Sequence, residues 1–240
     1  MERITHYPND DESKSVRIHS AGAKTAAPAT LGATRWLALG AVAGPVLFTL
    51  AWFILGFLSP GFTIFDALVA PYSPVSHPIS GLGLGLTAPY MNAAFVLSGL
   101  LVLAGTFGIF QSIRELGTAA RWSCTVLLAH SGLGMLLDGI FTLESFLPHM
   151  VGFLLGTGTP VLSFLVIGRS FRRIPRWRRF GNWLLAASPL TLVLLVLSFA
   201  TFDPVASGAG LGIAGLVQRV LVVEVHAWFV VMGWLAFRRS

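Results

Sequence analysis

The main pattern in this sequence is a series of six long apolar segments separated by polar stretches. They lie near residues 36–58, 90–112, 121–142, 149–168, 181–201 and 215–237. Each has about 20 residues, the length that an α-helix needs to cross a hydrocarbon layer of ~30 Å. Backbone groups without hydrogen-bond partners are costly in lipid, so the spans must be helical. The pattern therefore predicts an all-α, polytopic membrane helical bundle with six transmembrane helices within residues 36–240.

The basic residues between these segments predict the orientation of the bundle. Lys and Arg lie in the N-terminal segment, in the second-to-third and fourth-to-fifth connections, and at the C-terminus. The other three connections, near 59–89, 143–148 and 202–214, contain neither Lys nor Arg. By the positive-inside rule, the basic side is cytoplasmic. We therefore expect both termini inside the cell (N-in/C-in) and the protein in the cytoplasmic, or inner, cell membrane.

Two long segments outside the predicted spans differ in character. Residues 1–35 are polar and of mixed composition, and we interpret them as a disordered cytoplasmic tail. Residues 59–89 form an outer loop that is rich in Pro, Gly and Ser but also in large apolar residues. This loop is too apolar for a flexible linker. We expect it to fold against the outer end of the bundle, as functional lids do.

Composition favours lipid over nucleic acid as the partner of this chain. Of its 240 residues, 55% are apolar and 11% are charged, whereas a soluble domain carries about 25% charged residues. The formal net charge is +6, but the basic residues flank the spans instead of forming one stripe. We expect membrane lipids as partners and no nucleic acid. The single cysteine, Cys124, leaves no pair for an internal disulfide.

Ionisable residues inside the predicted spans are the first candidates for function, because they are costly in lipid. The third span contains His130 and Asp138, which are eight residues apart and share one helical face. The sixth contains Arg219 and His226, which are seven apart and also share a face, and Glu224, which points away from Arg219. The two helices are antiparallel, so the members of the two pairs lie at matching depths.

From this geometry we expect Asp138 to pair with Arg219 near the outer surface. His130 and His226 are then expected to line a polar pocket beneath that pair. A second interpretation stays open, in which an Asp–Arg pair only sets the register of two helices. Likewise, each histidine can be a hydrogen-bonded core residue.

Binding and catalysis draw on overlapping sets of side chains. The candidate ligand-binding residues are Arg219, Asp138, His130, His226, His77 and His149. No catalytic residue is identified, and the candidates for acid–base chemistry are Asp138, Glu224 and His130. The histidine spacing matches no metal motif, since there is no HExxH and no His pair at i, i+4. We therefore expect no metal site, and without Walker or Rossmann motifs we expect no nucleotide cofactor.

Several short motifs add a family resemblance. The sequence has an Ile-Ser-x-Leu-Gly signature within Pro78–Gly83, then Asn92, Asp138, His149, Gly215–Arg219 and, earlier, Gly44 and Pro45. With six spans, this set resembles the bacterial and archaeal DUF998 family. The resemblance implies a six-helix inner-membrane fold. It implies no reaction, because that family is itself one of unknown function.

The sequence as a whole favours a membrane protein that binds or moves a small ligand or lipid headgroup. The pocket is expected to face outward beneath loop 59–89, with an anionic group of the ligand meeting Arg219. The ligand is expected to be apolar or lipid-like, and a transporter of this size is expected to form a homo-oligomer. Two other functions stay open: an intramembrane enzyme that acts on a lipid or isoprenoid through a buried carboxylic acid, and a structural subunit of a membrane complex.

Overall fold

The computed structural model of the protein describes Met1 and residues 34–239. Six helices in this part are long and apolar enough to cross a membrane, and they coincide with the six predicted segments apart from small shifts at the ends. We number them spans 1 to 6: Thr34–Leu58, Gly85–Ser112, Thr118–Ile140, Phe146–Arg172, Arg178–Thr201 and Ala214–Arg239. The predicted disordered tail, residues 1–35, lies outside the described residues except at its ends.

Spans 1, 2, 3, 5 and 6 are built on single α-helices, whereas span 4 changes its winding. The single helices are Gly40–Leu58, Ala88–Ser112, Thr118–Ile140, Arg178–Thr201 and Ala214–Arg239. Span 4 consists of Phe146–Phe153, a π-helical turn at Leu154–Gly158, and Thr159–Arg172. A π-turn inserts an extra residue into the helix and is frequently found at functional sites.

Glycines let neighbouring spans pack closely. A Cβ atom built at Gly99 of span 2 would lie 2.7 Å from the carbonyl oxygen of Gly132 in span 3. Between spans 4 and 5, a Cβ built at Gly181 would lie 2.7 Å from the carbonyl oxygen of Gly168. Small residues are favoured at such contacts because close packing replaces the hydrophobic effect in lipid. Each span packs on its neighbours in sequence, and span 6 contacts span 1, so the bundle is closed.

The outward faces of the spans are apolar, while large aromatic residues fill the interior. Phe53 and Phe57 of span 1 and Val193 of span 5 are among many exposed apolar side chains. Phe110 and Trp177 are buried completely. A surface of this kind would be a liability in water but suits contact with lipid. The chain is a multi-pass membrane protein.

The segment between spans 1 and 2 is folded, as the sequence predicts, but it contains a small sheet that an all-α description misses. Strands β1 (Phe62–Ile64) and β2 (Ala67–Val69) form an antiparallel hairpin. A 3-10 turn, Ile79–Gly83, then leads to span 2, which begins with a second 3-10 turn, Gly85–Thr87. We call the end of the bundle that carries this segment the loop end. A short helix, Pro204–Gly208, lies between spans 5 and 6 at the same end.

Candidate functional site

A carboxyl group and an imidazole meet where spans 3 and 4 join at the loop end. Asp138 lies in the last turn of span 3 and His149 in the first turns of span 4; both are buried. Asp138 Oδ1 lies 3.5 Å from His149 Nδ1. His149 Nδ1 also lies 2.8 Å from the carbonyl oxygen of Phe141. A carbonyl can only accept, so Nδ1 carries a hydrogen and donates it, and Nε2 of the neutral ring is left as an acceptor.

Two glycines, Gly134 and Gly152, let the two helices lie close enough for this contact. A Cβ atom built at Gly134 would overlap the backbone of Gly152 and Gly156, and one built at Gly152 would overlap Asp138 Oδ1. Span 3 therefore lies directly against span 4 at these positions. Gly156 differs, because a Cβ built there would meet no atom within 4 Å. It lies in the π-turn and borders open space.

The Asp138 and His149 side chains border a small cavity, which we call the inner cavity. Its volume is about 40 Å³, enough for roughly three water molecules. Its apolar wall includes Phe48, Phe95 and Phe153. Its polar lining consists of Ser80, Asp138, His149, Thr157, Gln218 and His226. The polar lining thus comes from four elements, the loop and spans 3, 4 and 6, while Phe48 and Phe95 belong to spans 1 and 2.

Two polar atoms at the inner cavity have no hydrogen-bond partner in the described part of the chain. They are Asp138 Oδ1 and His226 Nδ1, both shielded from solvent. The His226 ring packs edge-on against Phe48, with 5.5 Å between ring centroids. A buried polar atom without a partner costs about 1–3 kcal/mol. Two of the residues that line the cavity, Asp138 and His226, therefore carry unmet hydrogen-bonding capacity.

Two further cavities adjoin the inner cavity on the side of the loop end and share lining residues with their neighbours. The middle cavity, of about 60 Å³, shares Ser80, His149 and Gln218 with the inner cavity. The loop-end cavity, of about 300 Å³, shares Pro78 and Phe146 with the middle one. Aromatic and aliphatic side chains from the hairpin and the span ends dominate its lining: Phe62, Ile64, Phe65, Val69, Leu143, Phe146 and Phe202.

Arg219 does not pair with Asp138, contrary to the sequence-based expectation. Its Nη1 donates to the carbonyl oxygens of Pro74 at 2.7 Å, His77 at 2.9 Å and Gly215 at 2.9 Å. Its Nη2 donates to the hydroxyl of Tyr72 at 2.5 Å. Counting along the helices predicts the same depth for Arg219 and Asp138. The Arg219 side chain, however, contacts the loop. There, backbone carbonyls solvate the buried charge in place of a carboxylate.

Arg219 is the centre of a network that fixes the loop to span 6. The guanidinium also lies over the ring of Trp52, 5.3 Å from its centroid. The Tyr72 hydroxyl, which accepts from Arg219, donates to the Pro78 carbonyl oxygen. Burial raises the pKa of Tyr72, and the Arg219 charge opposes part of that rise. One residue earlier, Gln218 Oε1 accepts from the Ile79 amide at 2.7 Å.

His77 belongs to this loop network and not to the inner cavity. Its Nδ1 accepts a hydrogen bond from the Ser73 amide at 2.8 Å, and its side chain contributes to the loop-end cavity. Nδ1 is an acceptor here, so the ring is neutral in this arrangement. Burial lowers the pKa of His77, and the Arg219 charge lowers it further.

His130 and Glu224 lie outside the three cavities. The expectation that His130 lines the pocket with His226 is wrong, because its Nδ1 bonds the Val126 carbonyl of its own helix at 2.7 Å. Glu224 faces span 5, where its carboxyl contacts the Thr191 hydroxyl at 2.9 Å and the Trp228 indole N–H at 2.6 Å. Within residues 34–239, no group of three or more His, Cys, Asp or Glu side chains could hold a metal ion.

Sequence reasoning therefore found three of the ionisable residues that meet at the inner cavity: Asp138, His149 and His226. It missed Ser80 and Gln218 as lining residues, although both lie within the short motifs that carry the family resemblance. It also missed Tyr72 as a hydrogen-bond partner of Arg219, because nothing in the sequence around Tyr72 indicates this contact. Polar residues at the edges of spans were the signal that could have found Gln218.

These features define a class: a six-span helical membrane protein with a buried polar cavity beneath a folded loop. The chain belongs to the family described as "Protein of unknown function (DUF998)", whose sequence profile matches residues 42–235. That range contains every residue that lines the three cavities. No curated protein and no solved structure matches the chain.

Proposed function

We propose that this protein binds a small amphiphilic molecule through its three adjoining cavities. The polar end of the molecule lies in the inner cavity at Asp138 and His149. The apolar part passes through the middle cavity into the loop-end cavity. In the orientation that the positive-inside rule gives, the loop end faces the outside of the cytoplasmic membrane, so the ligand is taken from that side.

The observation that carries this proposal is the polarity gradient along the cavities. Asp138 is 8% exposed, and its Oδ1 has no hydrogen-bond donor among the described residues. The opposite end of the path is walled mainly by apolar side chains from the hairpin and the span ends. Ligand sites combine an apolar lining with a few polar groups that fix orientation.

The arrangement favours binding over the two alternative functions. An ion pair that only sets helix register needs a buried partner charge, and Arg219 does not supply one to Asp138. Acid–base chemistry needs a second group placed on the substrate. Two of the candidate catalytic residues, His130 and Glu224, make their contacts outside the cavities.

Co-purification tests the proposal. Wild-type protein, Asp138→Asn and Gly156→Leu would be purified in parallel, and their small molecules and lipids identified by mass spectrometry. Gly156→Leu places a side chain in the open space beside the inner cavity. The matched control is Gly117→Leu, because a Cβ at Gly117 also meets no atom within 4 Å but lies in the connection between spans 2 and 3.

The expected result is a defined amphiphile that is enriched on wild type and on Gly117→Leu. It should be depleted on Asp138→Asn and on Gly156→Leu, while all four proteins keep similar thermal unfolding temperatures. The proposal is wrong if the four proteins carry the same bulk lipids in the same proportions.

A further inference from the structure

The charges around the inner cavity specify the head group of the ligand. Resting on the proposed function, we infer that the head group is a hydrogen-bond donor without negative charge, such as a primary amine or an alcohol. A phosphate or carboxylate head is excluded from the site. This assignment reverses the expectation, drawn from sequence, that an anionic group meets Arg219.

The first argument is the absence of a cation that could receive an anion. Within the described chain, no Lys or Arg lines any of the three cavities. The ionisable side chains that do line them are Asp138, His149 and His226 at the inner cavity and His77 at the loop end. His149 in its neutral form, with Nδ1 donating to the Phe141 carbonyl oxygen, supplies no positive charge to the cavity.

The second argument is that the two terminal nitrogens of Arg219, although the residue is next to the cavity residue Gln218, are engaged by the loop. Its two terminal nitrogens donate to three carbonyl oxygens and to the Tyr72 hydroxyl. Releasing them for a ligand would leave those buried carbonyls without a donor. Arg219 therefore holds the loop and cannot serve as an anion-binding group without unfolding it.

The third argument is that the inner cavity offers acceptors. Asp138 is buried there, and its Oδ1 has no hydrogen-bond donor within the described chain. His149 gives its Nδ1 hydrogen to Phe141, which leaves Nε2 as an acceptor in the neutral ring. A donor head group would satisfy these acceptors, and an ammonium would also pair with the Asp138 carboxyl in its ionised form. An anionic head would be buried here among acceptors, with no Lys or Arg in the lining to pair with it.

Three probes with the same chain and different heads test this inference. Wild-type protein in phosphatidylcholine nanodiscs would be incubated with dodecylamine, dodecanol or dodecyl phosphate. Retained probe would be measured by mass spectrometry after gel filtration. Nanodiscs that contain Gly156→Leu supply the background, because they account for partition into the bilayer and onto the outer protein surface. Asp138→Asn would be measured in the same way.

We expect retention of the amine and the alcohol to exceed that of the phosphate by about tenfold or more, since an anion that is buried without a paired cation pays a large desolvation cost. Asp138→Asn should reduce amine retention towards that of the alcohol, because the amide still accepts a hydrogen bond but carries no charge. Retention of the phosphate equal to that of the amine would overturn the head-group assignment and leave the proposed function standing. If no probe exceeds the background on wild type, both are overturned.

Discussion

Asp138 and His149 contact each other across the turn that joins spans 3 and 4, with 3.5 Å between Oδ1 and Nδ1. The contact is local to one helical hairpin, and it depends on the absence of side chains at Gly134 and Gly152. Arg219, which is expected at the same depth as Asp138, donates to the loop instead. The two residues therefore belong to separate structures, Asp138 to the cavity and Arg219 to the loop.

The separation of Asp138 and Arg219 predicts that their substitutions act independently. Asp138→Asn, Arg219→Gln and the double variant would be compared by reversible unfolding in mixed micelles. The side chains share no hydrogen-bond partner, so the changes in unfolding free energy should add to within about 0.5 kcal/mol. A coupling energy well above that value would show that the two side chains interact after all.

The glycines between spans 3 and 4 predict a sharp contrast among three alanine substitutions. Gly134→Ala and Gly152→Ala would force backbone or the Asp138 carboxyl out of place, which should destabilise the fold by about 1–3 kcal/mol. Gly156→Ala meets open space and should be close to neutral. Thermal unfolding in detergent checks the order. If Gly134→Ala and Gly152→Ala were as stable as Gly156→Ala, direct contact of spans 3 and 4 at these positions would be contradicted.

Replacing Arg219 with Lys should loosen the loop although the charge is kept. The ammonium of Lys is a compact donor. It cannot donate at once to the Tyr72 hydroxyl and to the carbonyl oxygens of Pro74 and His77, as the planar guanidinium does. We expect hydrogen exchange of the amides near Ser73 and His77 to become faster, with exchange in span 2 unchanged. The contrary result, unchanged loop exchange in Arg219→Lys, would assign the stability of the loop to the apolar contacts of Phe62 and Val69 instead.

His77 predicts a loss of stability in mild acid. Its pKa in the folded protein is lowered by burial, so below the ordinary value of about 6.5 the unfolded chain binds a proton that the folded chain does not. The free energy of unfolding should therefore decrease as the pH falls from about 6.5 towards the lower folded pKa. His77→Asn, which keeps an acceptor for the Ser73 amide, should show a shallower decrease. Parallel pH profiles for the two proteins would contradict this account.

The spans could be predicted from sequence because lipid imposes one requirement on every residue in them. A helix of fixed length must present apolar side chains to the hydrocarbon, and that leaves a continuous apolar run in the sequence. The folded loop at residues 59–89 was predictable for the related reason that residues such as Phe62 and Val69 must be buried somewhere. The hairpin itself was not, because its turn, Phe65 and Asp66, adopts positive φ angles with no glycine to mark it.

For the candidate site, the sequence predicted which residues lie at the same level of the bundle, but it did not predict their side-chain contacts. Counting along the helices put Asp138 and His226 near the same cavity, as the structure has them. The predicted pairing of Arg219 with Asp138 was wrong. Arg219 donates mostly to backbone carbonyl oxygens, such as that of Pro74, and a pattern of side chains gives no information about these. The close contact between spans 3 and 4 depends on glycines. Glycine is common in membrane helices in general, so the sequence alone does not show which glycines make such contacts.

The most direct test of the central claim is the location of a bound amphiphile. A dodecylamine that carries a photoreactive diazirine near the end of its chain would be crosslinked to the protein in nanodiscs, and the labelled peptides would be mapped. We expect labelling of loop-end cavity residues such as Phe62, Phe146 and Phe202, suppressed by excess unlabelled dodecylamine and by Gly156→Leu. Labelling confined to outward-facing residues such as Phe57 and Val193, without competition, would contradict the account.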